Sequence, residues 1–137
     1  AEDIGLANPN ALLLANACFD TLQKIGWPEG RIVLAQTAIY LATSPKSNSA
    51  YLAIDNAISK VEQTGNLPVP LHLRNAPTSL MKELDYGKAY KYSHDYENNF
   101  VKQEYLPGDL KSSKFWQAQP NPSEAKMKEL MKKLWGK

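Results

Sequence analysis

Few residues in this sequence combine the types and the spacing that catalysis requires. His94 and Asp95 are neighbours, and a histidine oriented by a carboxylate is a common general base in hydrolases. Adjacent residues generally point apart, however, and no activated serine or cysteine accompanies this pair. We therefore favour a structural role for His94 and Asp95, with a small hydrolase as a remote alternative.

Cys18 and His72 are the other candidates for nucleophilic or metal chemistry. Cys18 lies within an apolar helical stripe, where the reactive thiolate is disfavoured, so a buried structural cysteine is the favoured interpretation. A zinc site needs about four Cys or His ligands, and Cys18, His72 and His94 are the whole supply. The glycine-rich motifs G-x-x-x-x-G-K-S/T and G-x-G-x-x-G, which bind nucleotide phosphates, do not occur. We expect no catalytic residue, metal or cofactor in this segment.

Tyrosines and lysines in the second half are the best candidates for a binding surface. Residues 86–100 are rich in both, and aromatic rings stack on bases while lysines follow phosphates. His72 and Arg74 lie two apart in a predicted extended connector, where they would share one side and, with Lys82, bind an anion. The candidate DNA-binding or anion-binding residues are Arg74, Lys82, Lys88, Tyr90, Lys91 and Tyr92. Two alternatives stay open: the tyrosines can seal a helical core, and His72 and Arg74 can satisfy carbonyls and carboxylates within the fold.

Charge and composition exclude several classes of protein. The net charge is +2, with four Lys/Arg against six Asp/Glu in residues 1–70 and twelve against eight in residues 71–137. This gives the second half a mild preference for anions. The longest apolar runs are five residues, far below the ~18–20 of a membrane span. A single cysteine argues against a disulfide scaffold and for a reducing, cytoplasmic compartment. Because the chain begins at Ala1, we expect it to be part of a longer protein.

Proline, glycine and apolar periodicity predict five helices. The first runs from Asn8-Pro9 to Ile25, with Asn8 as its N-cap and Gly26 as its stop. The others are predicted from Pro28-Glu29 to about Ser44, from the turn at 45–48 to Gly65, from Pro77 to Leu84, and from a capping box at Asn121–Glu124 onward. Residues 67–73 are predicted to be an extended connector and residues 86–100 to be irregular.

The second predicted helix is apolar nearly all round. Its polar edge is narrow and consists of Gln36, Thr37, Tyr40 and Thr43. Such a helix is either a central core element or part of a subunit interface. The candidate interface residues are Ile32, Val33, Leu34, Ile39, Tyr40 and Leu41. We expect residues 1–66 to form a helical oligomerisation bundle and residues 67–137 to form an extension packed on it, within one all-α domain.

Several runs in the chain resemble the C-terminal region of the replication-associated recombination protein A family of AAA+ ATPases, which is related to the Werner helicase-interacting protein and to clamp-loader subunits. The most specific run is the ten-residue block Val69-Pro70-Leu71-His72-Leu73-Arg74-Asn75-Ala76-Pro77-Thr78. The other matching runs are residues 2–7, 28–31, 40–43, 45–48, 50–51, 80–84, 86–88, 90–96 and 106–107. Small departures occur at Ala89, where the family pattern has glycine, and at Ser93, where it has alanine.

The resemblance implies an all-α helical bundle like the clamp-loader collar, with an irregular C-terminal extension, that assembles as a homotetramer. It implies a parent DNA-dependent ATPase that binds ATP and Mg²⁺ in a module outside this segment. That parent would act at stalled forks in DNA replication, recombination and repair. The implied partners are further copies of the chain, a DNA fork or junction, and single-stranded-DNA-binding protein, without a membrane. The implied location is the cytoplasm, at the nucleoid.

The expected function is therefore non-catalytic oligomerisation of a DNA-dependent ATPase. The alternative is a DNA-binding module that contacts single-strand/double-strand junctions through the segment rich in lysine and tyrosine.

Overall fold

A computed structural model describes residues 1–111 and 113–136, which form helices and connecting turns without any β-strand. The α-helices are α1 (Asn10–Ile25), α2 (Gly30–Ala42), α3 (Ser49–Thr64), α4 (Ser79–Glu83) and α5 (Pro122–Trp135). Short 3-10 turns lie at Gly5–Ala7, Leu71–Leu73, Ser93–Asp95, Glu97–Asn99 and Gly108–Leu110. The predicted all-α fold is confirmed, and each predicted helix is present within a few residues of its expected ends.

The chain divides into two compact units. Unit 1 contains Ala1–Ile58 and Phe115–Met131, and unit 2 contains Ser59–Lys114 and Lys132–Lys137. Two of the three boundaries fall inside α3 and α5, and the third lies between Lys114 and Phe115. The expected division into an oligomerisation bundle (1–66) and an extension (67–137) also assigns a role to each segment. This division stays a prediction.

The start of α1 differs from its prediction in one side chain. Asn8 has non-helical φ and ψ, and its carbonyl accepts the N–H of Ala11 at 3.0 Å. Its amide nitrogen, however, donates to the hydroxyls of Tyr40 (3.1 Å) and Ser44 (3.0 Å). The Asn8 side chain therefore does not cap α1. It connects the start of α1 to the end of α2, which lies close enough to offer two hydroxyls.

One residue of the polar edge of α2 does not face solvent. Thr37 is buried. Its hydroxyl tolerates burial because it donates to the carbonyl of Val33 at 2.9 Å and needs no water. Cys18 of α1 is also buried, with its Sγ 3.9 Å from that same carbonyl, so the structural role predicted for this cysteine is confirmed. The side of α2 that carries Thr37 thus packs against α1, and several apolar side chains of α2 are left exposed instead.

The N-terminal segment is bound to the turn that precedes α3. The N–H of Ser47 donates to the carbonyl of Asp3 at 2.8 Å. Gly5 has a φ of +46°, and a Cβ at this position would lie 2.6 Å from the Ser47 carbonyl oxygen. Only glycine fits this close approach of two backbone segments without strain.

The connector in unit 2 is less extended than its prolines predict. Leu71–Leu73 forms a 3-10 turn, in which the N–H groups of Leu73 and Arg74 donate to the carbonyls of Pro70 (3.0 Å) and Leu71 (3.1 Å). Pro70 tolerates this position because it precedes the turn and its missing N–H is not needed there. His72 consequently lies in a turn, and the prediction of an extended connector is wrong at this point.

Helix α5 begins with the predicted cap. The Glu124 N–H donates to Asn121 Oδ1 at 2.9 Å, and the Asn121 amide donates back to Glu124 Oε1 at 3.0 Å. At the other end, the Trp135 ring meets the rings of Phe100 and Tyr105 edge to face, with centroids 5.1 and 6.3 Å apart. These contacts hold the end of α5 against the segment 100–105.

Candidate functional site

A buried polar cluster in unit 1 surrounds the carboxylate of Glu124, which is completely inaccessible to solvent. Its Oε2 accepts the N–H of Gln119 at 2.9 Å, and the hydroxyls of Ser47 and Ser49 also bond to it. Both serines are 2% exposed. Ser47 Oγ accepts the Ser49 N–H at 3.2 Å, and Ser49 Oγ accepts Trp116 Nε1–H at 3.1 Å. Every group here has a partner, so the cluster joins the start of α3 to the start of α5.

The ionised form of Glu124 is favoured inside this cluster. Burial on its own would raise the pKa of the Glu124 carboxyl. The hydrogen bonds from Ser47, the Gln119 backbone, Asn121 and Ser49 together outweigh burial and lower that pKa. The carboxylate is used entirely by the fold, and no open face is left for a substrate.

The candidate interface residues on α2 divide into two groups. Ile32 and Ile39 are 62% and 65% exposed, and Leu34 is also exposed. Val33, Tyr40 and Leu41 are half-buried, and the Tyr40 hydroxyl is held by Asn8. Exposed apolar side chains also occur on α1 and in the turn that follows it, namely Leu12, Leu13, Phe19, Ile25 and Trp27. Ile32 and Ile39 are seven residues apart and share one side of α2, whereas Leu34 follows Ile32 by two residues and lies on another side. We call Ile32, Ile39 and these exposed apolar residues of α1 and its following turn the apolar face of unit 1.

All six candidate DNA-binding residues belong to unit 2. That unit holds eleven Lys/Arg against seven Asp/Glu, whereas unit 1 holds five against seven. Lys82, Lys91 and Tyr92 are exposed. The Lys88 ammonium is also exposed but pairs with Asp85 at 2.9 Å. The positive charge of the chain is therefore concentrated in unit 2.

Arg74 is held by the fold more firmly than a surface arginine. Its Nε donates to the carbonyl of Val69 at 2.6 Å and its Nη1 to the Tyr86 hydroxyl at 3.1 Å. Its guanidinium carbon also lies 5.0 Å from the centre of the Tyr86 ring. These contacts match the structural alternative stated for Arg74. The two hydrogen bonds use only two of the five N–H groups of the guanidinium.

An open groove of about 480 Å³ lies beside Arg74 in unit 2. Its walls are residues 72–76, Gly87, Tyr90 and Tyr105. His72 donates through Nε2 to the Glu104 carbonyl at 2.8 Å, since a carbonyl can only accept. The Gly87 N–H donates to the Leu71 carbonyl at 2.9 Å. These two hydrogen bonds thus connect three separate chain segments around one cavity.

Two residues of this region have no clear signal in the sequence. Gln103 is buried, and its side chain accepts the N–H of Lys91 at 2.8 Å and donates to the Lys91 carbonyl at 3.3 Å. This pairing fixes the backbone between Tyr90 and Tyr92. Tyr105 joins the groove from a segment that lies outside residues 86–100. Aromatic and charge content can indicate a binding segment, but it cannot indicate which distant residues support it.

His94, the remaining catalytic candidate, lies on the surface beside an aromatic ring. His94 is exposed, and its ring lies 5.0 Å from that of Tyr92. Within residues 1–111 and 113–136 no group of three or more Cys, His, Asp or Glu side chains is placed to hold a metal ion. In the same residues no helix has the length and apolar character needed to cross a bilayer.

Comparison with known proteins gives consistent matches over nearly the whole chain. A family model described as "MgsA AAA+ ATPase C terminal" matches residues 1–135. The chain is 45% identical over 130 residues to replication-associated recombination protein A of Coxiella burnetii, which covers 94% of this chain and 30% of that protein. It is 42% identical over 134 residues to the Bacillus subtilis protein of the same name, covering 97% and 32%. It is also 42% identical over 118 residues to ATPase WRNIP1 of Dictyostelium discoideum, covering 85% and 14%. The chain thus spans about a third or less of the length of these relatives.

Proposed function

The chain belongs to the MgsA AAA+ ATPase C-terminal family, as its sequence motifs predicted, and from this premise we propose that it is the oligomerisation domain of a DNA-dependent ATPase. The parent protein acts in replication-fork maintenance and recombination, in keeping with the names of the relatives in Coxiella and Bacillus. The domain itself is non-catalytic. ATP and Mg²⁺ bind elsewhere in the parent, since the phosphate-binding glycine motifs do not occur in these 137 residues.

The observation that carries this proposal is an excess of exposed surface. The chain exposes 10339 Å². A compact protein of this mass exposes about 7,100 Å², and two separate globular halves would together expose about 8,600 Å². At least about 1,700 Å² is therefore in excess even if the two units are counted as independent. Many large apolar side chains are exposed, among them Trp27, Ile32 and Ile39, and exposed apolar patches of more than a few hundred Å² are typical of protein interfaces.

The size of the excess suits a closed tetramer. A standard protein interface takes about 800 Å² from each partner. The excess on one chain therefore covers about two such interfaces, and each subunit of a ring of four needs two. We propose that the apolar face of unit 1 supplies these contacts, with further copies of this chain as partners.

A light-scattering comparison of variants tests the role of this face. Ile39→Glu places a charge on the apolar face of unit 1, and we expect the chain to dissociate to a lower mass. Leu80→Glu is the matched control, because Leu80 of α4 is 62% exposed and lies in unit 2. That variant should keep the mass of the unmodified chain. Equal masses for both variants and for the unmodified chain would contradict an interface at Ile39.

A second candidate function is DNA binding by unit 2, favoured by its excess of four positive charges beside exposed tyrosines. Lysine contacts to phosphates give sequence-independent binding that falls steeply with salt. Lys88→Ala combined with Lys91→Ala should weaken binding of a fluorescent forked oligonucleotide without unfolding the chain. The absence of any anisotropy change at low salt would reject DNA binding by this chain.

The remaining proposals follow from family membership alone. Single-stranded-DNA-binding protein is a proposed partner of the parent protein, and the nucleoid of the cytoplasm is its proposed location. Pull-down of single-stranded-DNA-binding protein by the chain, compared with the Leu80→Glu variant as a surface control, tests whether this partner contacts the domain.

A further inference from the structure

We propose that the groove in unit 2 binds one unpaired nucleotide, with its base against the rings of Tyr90 and Tyr105. This inference rests on the second candidate function, DNA binding by unit 2. It goes further by naming the site and the class of ligand, a single-stranded segment whose base is free to leave the stack.

The size and the walls of the groove fit such a ligand. Its volume of about 480 Å³ lies within the range of about 300–1,000 Å³ that small-molecule sites occupy. Tyr90 and Tyr105 both line the groove and are 50% and 45% exposed, so both rings have surface available to a ligand. Asn75, which is also exposed, offers both a donor and an acceptor to the edge of a base.

The rings are positioned by the surrounding structure. Gln103 fixes the backbone next to Tyr90 through its two bonds to Lys91. Trp135 lies edge to face against Tyr105, and Glu104 accepts the Tyr105 N–H at 3.1 Å. A groove with fixed walls loses little freedom when it binds a ligand.

Charge favours a nucleic acid over an uncharged peptide. The side chains that line the groove include one formal charge, the guanidinium of Arg74, and no carboxylate. Unit 2 as a whole also holds four more Lys/Arg than Asp/Glu, so a phosphate attached to a stacked base would meet a positively charged unit. A proline-rich peptide can also lie on tyrosine rings, but it would gain nothing from these charges.

The test measures binding of a fluorescent ten-residue thymidine oligonucleotide to the whole chain at low salt. Loss of one stacking ring in Tyr90→Ala or Tyr105→Ala should weaken binding by about 5- to 150-fold. Tyr90→Phe and Tyr105→Phe should bind nearly as well as the unmodified chain, because the ring is retained. Tyr96→Ala is the matched control, since Tyr96 is 42% exposed and lies outside the groove.

A crosslinking experiment locates the base directly. An oligonucleotide carrying 5-iodouracil, irradiated in complex with the chain, should form adducts at Tyr90 or Tyr105 that mass spectrometry maps. A blunt duplex of the same sequence should form few adducts, because its bases remain stacked.

Each contrary result overturns a defined part of the proposal. Tight binding that both alanine variants retain, with adducts elsewhere, would reject the groove and leave DNA binding by unit 2 standing. No binding of any oligonucleotide would reject both. Equal adducts with duplex would reject the unpaired base. Direct binding of a fluorescent octaproline peptide by a chain that binds no oligonucleotide would assign the groove to peptides. None of these results depends on the oligomeric state, which light scattering tests separately.

Discussion

Replacing Glu124 by alanine should destabilise unit 1 more than any change at an exposed position of α5. The carboxylate is inaccessible to solvent and accepts hydrogen bonds from four groups. Two of these donors, the hydroxyls of Ser47 and Ser49, are only 2% exposed and cannot turn to bulk water. A buried donor without a partner costs about 1–3 kcal/mol, and the half-buried N–H of Gln119 loses its acceptor as well.

Three donors that lose their acceptor give an expected loss of about 3 kcal/mol at the lower bound. In a chain of this length that corresponds to a decrease in Tm of about 10 °C. Glu124→Gln should lose less stability than Glu124→Ala, because the glutamine amide keeps one carbonyl oxygen as an acceptor. Its NH₂ group, however, then faces donor groups of the cluster. The variants must be compared at one chain concentration, because assembly couples stability to concentration.

Thermal unfolding followed by circular dichroism is a suitable assay. Glu129→Ala is the control, since Glu129 is an exposed glutamate on the same helix, and its effect should stay within about 0.5 kcal/mol. A Glu124→Ala chain that unfolds within that same margin of the unmodified chain would refute the reasoning. The buried cluster would then contribute nothing to stability.

Three further predictions concern pH, the N-terminal segment and Arg74. The folded-state pKa of Glu124 is lowered, so the stability that this carboxylate contributes is complete above its unfolded pKa of about 4.3 and disappears as pH falls through the lower folded value. The difference in stability between the unmodified chain and Glu124→Gln, measured by urea titration, should therefore shrink below about pH 4. Gly5→Ala forces a Cβ to 2.6 Å from the Ser47 carbonyl oxygen at positive φ and should cost about 1–3 kcal/mol in thermal unfolding, whereas Gly108→Ala, in open surroundings, should cost less than 1 kcal/mol. Arg74→Lys keeps the charge but cannot hold both the Val69 carbonyl and the Tyr86 ring, so urea unfolding should show a loss of about 1–2 kcal/mol; unchanged stability would mean that Arg74 has no structural role.

The helices could be predicted because local residues define their ends. Gly26 and Gly65 adopt positive φ at the ends of α1 and α3, where a side chain would be strained. The cap formed by Asn121 and Glu124 lies within one turn of chain and has a recognisable spacing. Family membership also followed from sequence, since a ten-residue block around His72 carries far more information than a short motif.

The features that sequence reasoning missed depend on contacts between distant residues. The pattern of α2 placed Thr37 in a polar edge, and it did not indicate that the i−4 carbonyl satisfies this hydroxyl and lets it be buried. Ser47 and Glu124 are 77 positions apart, and nothing local indicates that one buries the other. The groove likewise draws on three segments, and only the segment that contains Tyr90 had a compositional signal.

The most direct test of the central proposal is the mass of the unmodified chain, measured by multi-angle light scattering over a series of concentrations up to tens of micromolar. Assembly through the apolar face of unit 1 predicts a stable species of about 61 kDa, four times the 15.3 kDa of one chain. A species that stays at 15.3 kDa throughout would contradict the proposal that these residues alone form the oligomerisation domain.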